Sequence, residues 1–149
     1  MFCFIPRCAA VLLLVVAGAL APAAAQERPL NASGEGFVDS VGSLFGRGEA
    51  THLGRSSLSV SSYDRDLLSS GYFFAFGGYL RSASGDFLDF AFDEVYYLFD
   101  PATGIVSATV TFTGGTGRFQ DVTGSADVTF DLDSNLHNFG FLIDGSIDY

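Results

Sequence analysis

Residues 105–133, IVSATVTFTGGTGRFQDVTGSADVTFDLD, decide the fold of this protein. In residues 105–113 apolar side chains alternate with serine and threonine, and residues 122–133 repeat the alternation with aspartates on the polar side. Because successive side chains of a strand point to opposite faces, each segment predicts a β-strand with one buried face. The glycines between the two segments are typical of a connecting turn.

The same pattern extends on both sides of this pair. Residues 139–149 alternate apolar side chains with aspartate and serine. Residues 86–99 also alternate until the register slips near residues 94–97, which predicts a bulge or bend. Residues 100–104, Asp-Pro-Ala-Thr-Gly, suit a type I turn. Weaker strand signals lie at residues 34–40, 49–53, 55–61 and 72–80.

Counting these segments gives about eight short strands joined by turns. Residues 62–70 are expected to form a loop with one helical turn near residues 64–68. The sequence therefore predicts an all-β fold, a single antiparallel β-barrel of about eight strands over residues 34–149. Residues 26–33 are expected to be a flexible leader in front of this barrel domain.

The first 25 residues have the composition of an export signal. Arg7 precedes an unbroken apolar run at residues 9–20, which is too short to span a bilayer core of about 30 Å. The alanines at residues 23–25 match the small residues before a signal peptidase site. We expect a signal helix cleaved near Ala25, a secreted or periplasmic protein, and no stable membrane insertion after cleavage.

Removal of this segment changes the composition. The mature chain keeps 124 of the 149 residues and no cysteine, and six arginines against seventeen acidic residues give it a formal charge of −11. With no lysine and few arginines, a nucleic-acid partner is not expected. Without cysteine and with histidines only at positions 52 and 137, a structural zinc site is not expected. The sequence has no G-x-x-x-x-G-K loop and no complete G-x-G-x-x-G motif, and no cofactor is expected. Residues 131–135 imitate a calcium loop, but Leu136 and Leu142 stand where that loop needs glycine and glutamate.

A resemblance to a known group rests on residues 113–119, TGGTGRF, continued by residues 123–126. This segment resembles the GGTG-basic-Phe segment of dirigent proteins and of the allene oxide cyclase barrel-like superfamily. Residues 50–55, 84–88 and 144–149 follow in the order found in small secreted bacterial members of that group. The resemblance implies an eight-stranded barrel whose apolar interior holds a hydrophobic small molecule.

The same resemblance does not carry an activity. Dirigent proteins steer the coupling of phenoxy radicals and the cyclases close an epoxy fatty acid into a ring, in both cases without a cofactor. The residues that match here are mostly turn glycines and alternating strand positions, which specify fold rather than chemistry. No functional residue is therefore transferred.

Two residues are candidates for catalysis from their chemistry alone. His52, with Arg55 three positions later, would act as an acid or base at a barrel mouth, or else bond to the backbone near the Gly54 bend. Arg118 follows closely spaced glycines and would either clamp a carboxylate ligand or tie the turn to Asp121 or a turn carbonyl. Arg55 carries the same ambiguity.

The aromatic residues give a second set of candidates. The segment with Tyr72, Phe74 and Phe76, like residues 96–99, is apolar on both strand faces. Such residues fill a small barrel, or mark a ligand cavity, a partner surface or the interface of a homo-oligomer. The candidate ligand-binding residues are therefore Arg55, Arg118, Tyr72, Phe74 and Phe76.

Three functions remain open from the sequence. The first is an exported, cofactor-free barrel that binds a hydrophobic small molecule or has a structural role in the cell envelope. The second is a cyclase-like or dirigent-like enzyme, which would need polar residues such as His52 or Arg118 facing the interior. The third is a small outer-membrane barrel, suggested by the terminal Tyr149 of the last strand.

Overall fold

A computed structural model describes residues 26–62 and 65–149 of the chain. The predicted signal peptide, residues 1–25, lies outside the described residues. The part that is described is almost entirely β-structure, so the predicted all-β class is confirmed. Within it lie nine strands, one short helix and one 3₁₀ turn: β1 (Glu27–Val38), β2 (Leu44–Ala50), β3 (Gly54–Ser62), α1 (Arg65–Ser69), β4 (Tyr72–Ser82), β5 (Phe87–Phe92), β6 (Tyr96–Leu98), β7 (Ile105–Gly115), the 3₁₀ turn (Gly117–Phe119), β8 (Thr123–Leu132) and β9 (Asn138–Asp148).

Eight of these described strands close into one antiparallel barrel, as predicted. Each of β1 to β4 pairs with the next strand along the chain, β5 pairs with β7, and β7, β8 and β9 pair in turn. The barrel closes where β9 returns to β1, with Glu27 opposite Asp148 and Phe37 opposite Asn138. Closure removes the free edges that an open sheet would expose.

The remaining described strand, β6, continues the line of β5. Both strands pair with β4, β5 with its second half and β6 with its first three residues. Between them the chain leaves the ladder at residues 93–95, where the Asp93 N–H donates to the Thr109 carbonyl oxygen at 3.1 Å. The bend predicted near residues 94–97 is therefore confirmed, and it begins at Asp93, one residue before the predicted range.

The prediction of a flexible leader at residues 26–33 is wrong. From Glu27 onward these residues form the first half of β1 and pair with β9. Leu30 and Ala32 are buried and belong to the inward-facing series. Proline is tolerated near the start of a strand, so Pro29 can lie in β1, and β9 needs this strand as a partner to close the barrel.

The second strand also differs from its prediction. β2 covers Leu44–Ala50 rather than residues 49–53, and residues 51–53 form a turn. Gly46 and Gly48 occupy inward positions of β2, where apolar side chains would produce the alternation typical of a strand. Because glycine has no side chain, this alternation is missing from the sequence. A Cβ at Gly46 would lie 2.9 Å from the Phe141 ring, so the absence of a side chain leaves room for this ring of β9.

The other predicted elements lie within about two residues of their expected bounds. The helical turn expected near residues 64–68 is α1. Five aspartates alternate with the apolar side chains of residues 122–133 and 139–149: Asp127, Asp131 and Asp144 are exposed, and Asp133 and Asp148 are half-buried.

Side chains fill the interior of the barrel. Rings of Phe73, Phe92 and Phe130 meet with centroids 5.4–6.5 Å apart, although β4 and β8 are not neighbouring strands. Phe139 of β9 packs on Phe130 at 5.9 Å. An eight-stranded barrel is just wide enough for side chains to fill. The interior that the resemblance assigns to a hydrophobic ligand is therefore occupied by the protein's own rings.

Truncating a central ring should be costly. Phe130 is fully buried, so we expect Phe130→Ala to lower the free energy of unfolding by about 3–5 kcal/mol. Leu142→Ala is the control, because Leu142 is 54% exposed on the outer face and should change this free energy by no more than about 0.5 kcal/mol. Urea denaturation followed by far-UV circular dichroism measures both, and equal effects would contradict a packed interior.

Candidate functional site

The two ends of the barrel differ in what they carry. We call the end where β1 begins and β9 ends the terminal end; it also holds the turns at residues 51–53, 83–86 and 116–122. We call the opposite end the helix end; it holds α1, β6 and the turns at residues 39–43 and 133–137. Each predicted site residue can be placed relative to these two ends.

The two catalytic candidates meet at the terminal end. An Arg118 guanidinium nitrogen, Nη2, donates to the carbonyl oxygen of His52. The His52 ring lies with Nε2 at 3.0 Å from the Pro29 carbonyl oxygen, and its backbone has a φ of 68°. His52 is thus in the turn between β2 and β3 rather than on a strand. Both side chains bond to backbone carbonyls outside the apolar interior.

Aromatic contacts extend this cluster to the last residue. The Arg118 guanidinium lies 4.8 Å from the Phe119 ring centroid, and Phe119 meets Tyr149 edge to face at 5.9 Å. Tyr149 also contacts the His52 ring at 6.1 Å and the Arg28 guanidinium at 4.7 Å. Phe119 is fully buried. The cluster therefore closes the terminal end, and three of the segments that carried the family resemblance meet in it.

The structural interpretation of Arg118 agrees with this geometry. The sequence left open a bond to Asp121 or to a turn carbonyl, and the partner is the carbonyl of His52 on a different turn. A role in catalysis for His52 or Arg118 stays a prediction, and any such role would be at the outer surface of the terminal end.

The five candidate ligand-binding residues do not form one site. Arg55 lies exposed near the terminal end, opposite Glu49 on β2, and Arg118 is at the same end. Tyr72, Phe74 and Phe76 lie on the outward side of β4 near the helix end. There Phe74 meets Phe76 at 4.6 Å and Tyr96 at 4.7 Å. The aromatic candidates and the arginine candidates are thus on opposite ends of the barrel.

A concave feature lies elsewhere, on the outer surface of β1 to β4 and the helix-end parts of β8 and β9. It is an open groove with a volume of about 1080 Å³. We call it the outer groove. It is lined by Glu35, Gly36, Phe37, Phe45, Gly46, Arg47, Ser57, Leu58, Ser59, Tyr79, Asp131, Asp133, Asn138, Phe139 and Gly140.

Exposed aromatic rings supply the apolar part of the outer groove. Phe37 and Phe45 face each other across β1 and β2 and stack with centroids 5.7 Å apart. They are 55% and 38% exposed, so a ligand would bury ring surface that water now covers. Ser59 separates Phe45 from Tyr79 in the cross-strand row. Its small side chain leaves a depression between the two aromatic positions.

A second cross-strand row supplies the charges. Asp131 of β8 pairs with Gly140 of β9, Gly140 pairs with Glu35 of β1, and Glu35 pairs with Arg47 of β2. A Cβ built on Gly140 would contact nothing closer than the Gly34 carbonyl oxygen at 3.9 Å. The space above Gly140, between two carboxylates, is therefore open.

Asp133 closes the turn beside the groove. Its Oδ1 accepts the His137 N–H at 2.8 Å, and its Oδ2 accepts the Asn138 side-chain amide at 2.9 Å. These bonds to the ionised carboxylate, first of all that from His137, lower the pKa of Asp133. Asp133 therefore contributes a fixed negative charge to the groove while its oxygens hold the turn.

Tyr97 is the other group with a shifted pKa. Its hydroxyl accepts the Glu94 N–H at 2.9 Å and lies 3.4 Å from the Thr109 carbonyl oxygen. Burial raises the pKa of Tyr97, so the hydroxyl stays protonated and can donate to Thr109. This hydroxyl holds β6 against β7 and is structural.

Apart from Asp131 and Asp133, which belong to the calcium-loop imitation, the groove residues were not singled out from the sequence. Phe37 and Phe45 stand next to the buried Val38 and Leu44, so they occupy polar-phase positions of their strands. An aromatic residue at an outward position of a strand, where a polar residue is expected, is the signal that would have identified Phe37 and Phe45. Recognising this signal requires the correct strand bounds, and the bounds of β2 were predicted wrongly.

Comparisons with known proteins add no family to this description. No family model, no curated protein and no solved structure matches the chain. The resemblance to the dirigent-like group therefore stays a prediction. Across residues 26–62 and 65–149, no three histidine, cysteine or acidic side chains are grouped so as to hold a metal ion. No helix in the described part of the chain is long and apolar enough to cross a membrane.

The contact between Arg118 and His52 predicts a stability effect. Arg118→Ala removes a charged donor from a backbone carbonyl at the surface, so we expect the free energy of unfolding to fall by about 1 kcal/mol. Arg55→Ala removes the same charge from the same end and should have a smaller effect. Chemical denaturation compares them, and a larger loss in Arg55→Ala would contradict the assigned role.

The shifted pKa of Asp133 predicts a pH dependence. A carboxylate whose pKa is lowered on folding stabilises the fold above its unfolded-state pKa, and the contribution is lost as pH falls through the folded-state value. Wild type should therefore exceed Asp133→Asn in stability at about pH 7 and lose that advantage toward about pH 2. Urea midpoints across this range test the sign, and a wild-type advantage that grows on acidification would be the opposite result.

Proposed function

We propose that the protein is an exported, cofactor-free barrel that binds a small molecule with an apolar face in the outer groove, on the outside of the barrel wall. The observation that carries the proposal is the contrast between two surfaces. The interior is packed with rings, whereas Phe37 and Phe45 are exposed in the lining of the outer groove. Exposed aromatic rings beside polar groups are typical of ligand sites.

The form of the groove supports binding of a small molecule. Its volume of about 1080 Å³ is near the upper end of the usual range of small-molecule sites. Gly140 adds no side chain to the lining, so a ligand can approach the barrel wall closely at this strand. Ligand contacts to Phe37 and Phe45 would release water from surface that is costly to hydrate.

The other functions receive less support. A cyclase-like or dirigent-like enzyme requires an interior cavity with polar groups, and the buried polar side chains of the described chain are Ser56, Ser62 and Ser82. A lipid-exposed barrel needs an apolar outer surface, whereas the outward positions of β7 and β8 carry threonine, serine and aspartate. A structural role in the envelope would not account for the groove.

The direct test uses octyl glucoside, a neutral amphiphile, below its micelle concentration. Isothermal titration of protein purified from expression of the full chain should show saturable binding. The double variant Phe37→Ala/Phe45→Ala should weaken the affinity about tenfold or more, because much of the apolar contact is lost. Both rings are exposed, so this variant should remain folded.

Leu142→Ala is the matched control, because it truncates an exposed apolar side chain outside the groove. It should bind as wild type does. Gly140→Leu should also abolish binding, since its new side chain enters open space in the groove. Absence of saturable binding, or binding that none of the groove variants weakens, would contradict the proposed function.

A further inference from the structure

We propose that the outer groove selects cationic amphiphiles, molecules that carry an ammonium or guanidinium group next to an apolar portion. This inference rests on the proposed function, since it names the ligand class of the same groove. It follows from the charges that line the groove, the aromatic rings beside them and the distribution of charge over the whole barrel.

The charges in the groove have an excess of one sign. Glu35, Asp131 and Asp133 contribute three carboxylates, and Arg47 contributes one guanidinium. Asp131 and Glu35 flank Gly140, so two carboxylates border the open space above that glycine. A cation placed there interacts with both carboxylates, whereas an anion is repelled by both.

The aromatic rings of the groove also favour a cationic ligand. The faces of phenylalanine and tyrosine rings carry negative partial charge, and they attract ammonium groups, quaternary ones included. Phe37 pairs with Asn138 in the row next to the one that holds Glu35 and Gly140, so rings and carboxylates adjoin each other. A ligand with a cation beside an apolar chain satisfies both kinds of surface at once.

Of the six arginines of the mature chain, Arg47 lines the groove, Arg65 begins α1 at the helix end, and the other four lie near the terminal end. These four, Arg28, Arg55, Arg81 and Arg118, are at the start of β1 and β3, the end of β4 and the turn before β8. The groove lining includes Asp133, which begins the turn at residues 133–137 of the helix end. The mature charge of −11 also favours the approach of cations over anions.

Three probes with one chain length separate headgroup charge from apolar contact. Octyltrimethylammonium, octyl glucoside and octyl sulfate share the tail and differ in charge. At low ionic strength we expect the cation to bind about tenfold more tightly than the neutral probe, and the anion to bind most weakly. Added sodium chloride should reduce the advantage of the cation, because salt screens exposed charges.

Matched variants assign the preference to the groove. Glu35→Gln/Asp131→Asn should remove most of the preference for the cation and leave octyl glucoside binding within about twofold of wild type. Asp127→Asn/Asp144→Asn changes the net charge equally on the outer face outside the groove, and it should keep the preference.

The outcomes separate the two proposals. If octyl glucoside does not bind, the proposed function is wrong. If octyl glucoside binds and the cation shows no advantage, the groove exists but the inference about its ligand class is wrong. If both double variants lose the preference equally, net charge rather than the groove governs it, which also contradicts the inference.

Discussion

The pairing of β1 with β9 is the constraint on which the rest of the structure depends. This ladder runs from Glu27 opposite Asp148 to Phe37 opposite Asn138 and closes the sheet on itself. Closure at eight strands fixes an interior that side chains fill, and the rings of Phe73 and Phe130 meet across it at 5.4 Å. Because that space is taken, the surfaces left for a ligand are the outer wall and the two ends.

The terminal end and the outer wall of the barrel differ in the contacts they carry. The terminal end is closed by the bond from Arg118 to the His52 carbonyl and by the contact of Phe119 with Tyr149. The wall carries the outer groove, whose lining combines the exposed rings of Phe37 and Phe45 with three carboxylates. His52, Arg118, Phe119 and Tyr149 lie in the segments on which the predicted resemblance rests, whereas none of the residues that line the groove does.

Much of the fold could be predicted from sequence, and little of the site. The alternation of β7 and β8 has no interruption, so their bounds and inward faces follow directly. The bounds of β1 and β2 were harder to predict, because Pro29, Gly46 and Gly48 lie where the alternation needs strand-forming or apolar residues. The groove depends on cross-strand rows, such as Asp131 with Gly140 and Glu35, and sequence order alone does not give the register that forms them.

The central claim is that the interior is filled and that the ligand lies against the outer wall. Intermolecular nuclear Overhauser effects between octyltrimethylammonium and phenylalanine rings test it most directly, using protein with assigned aromatic resonances. We expect contacts from the octyl chain to Phe37 and Phe45, and none to the buried rings of Phe73 and Phe130. Strong contacts to Phe73 or Phe130 would place the ligand inside the barrel and contradict the account.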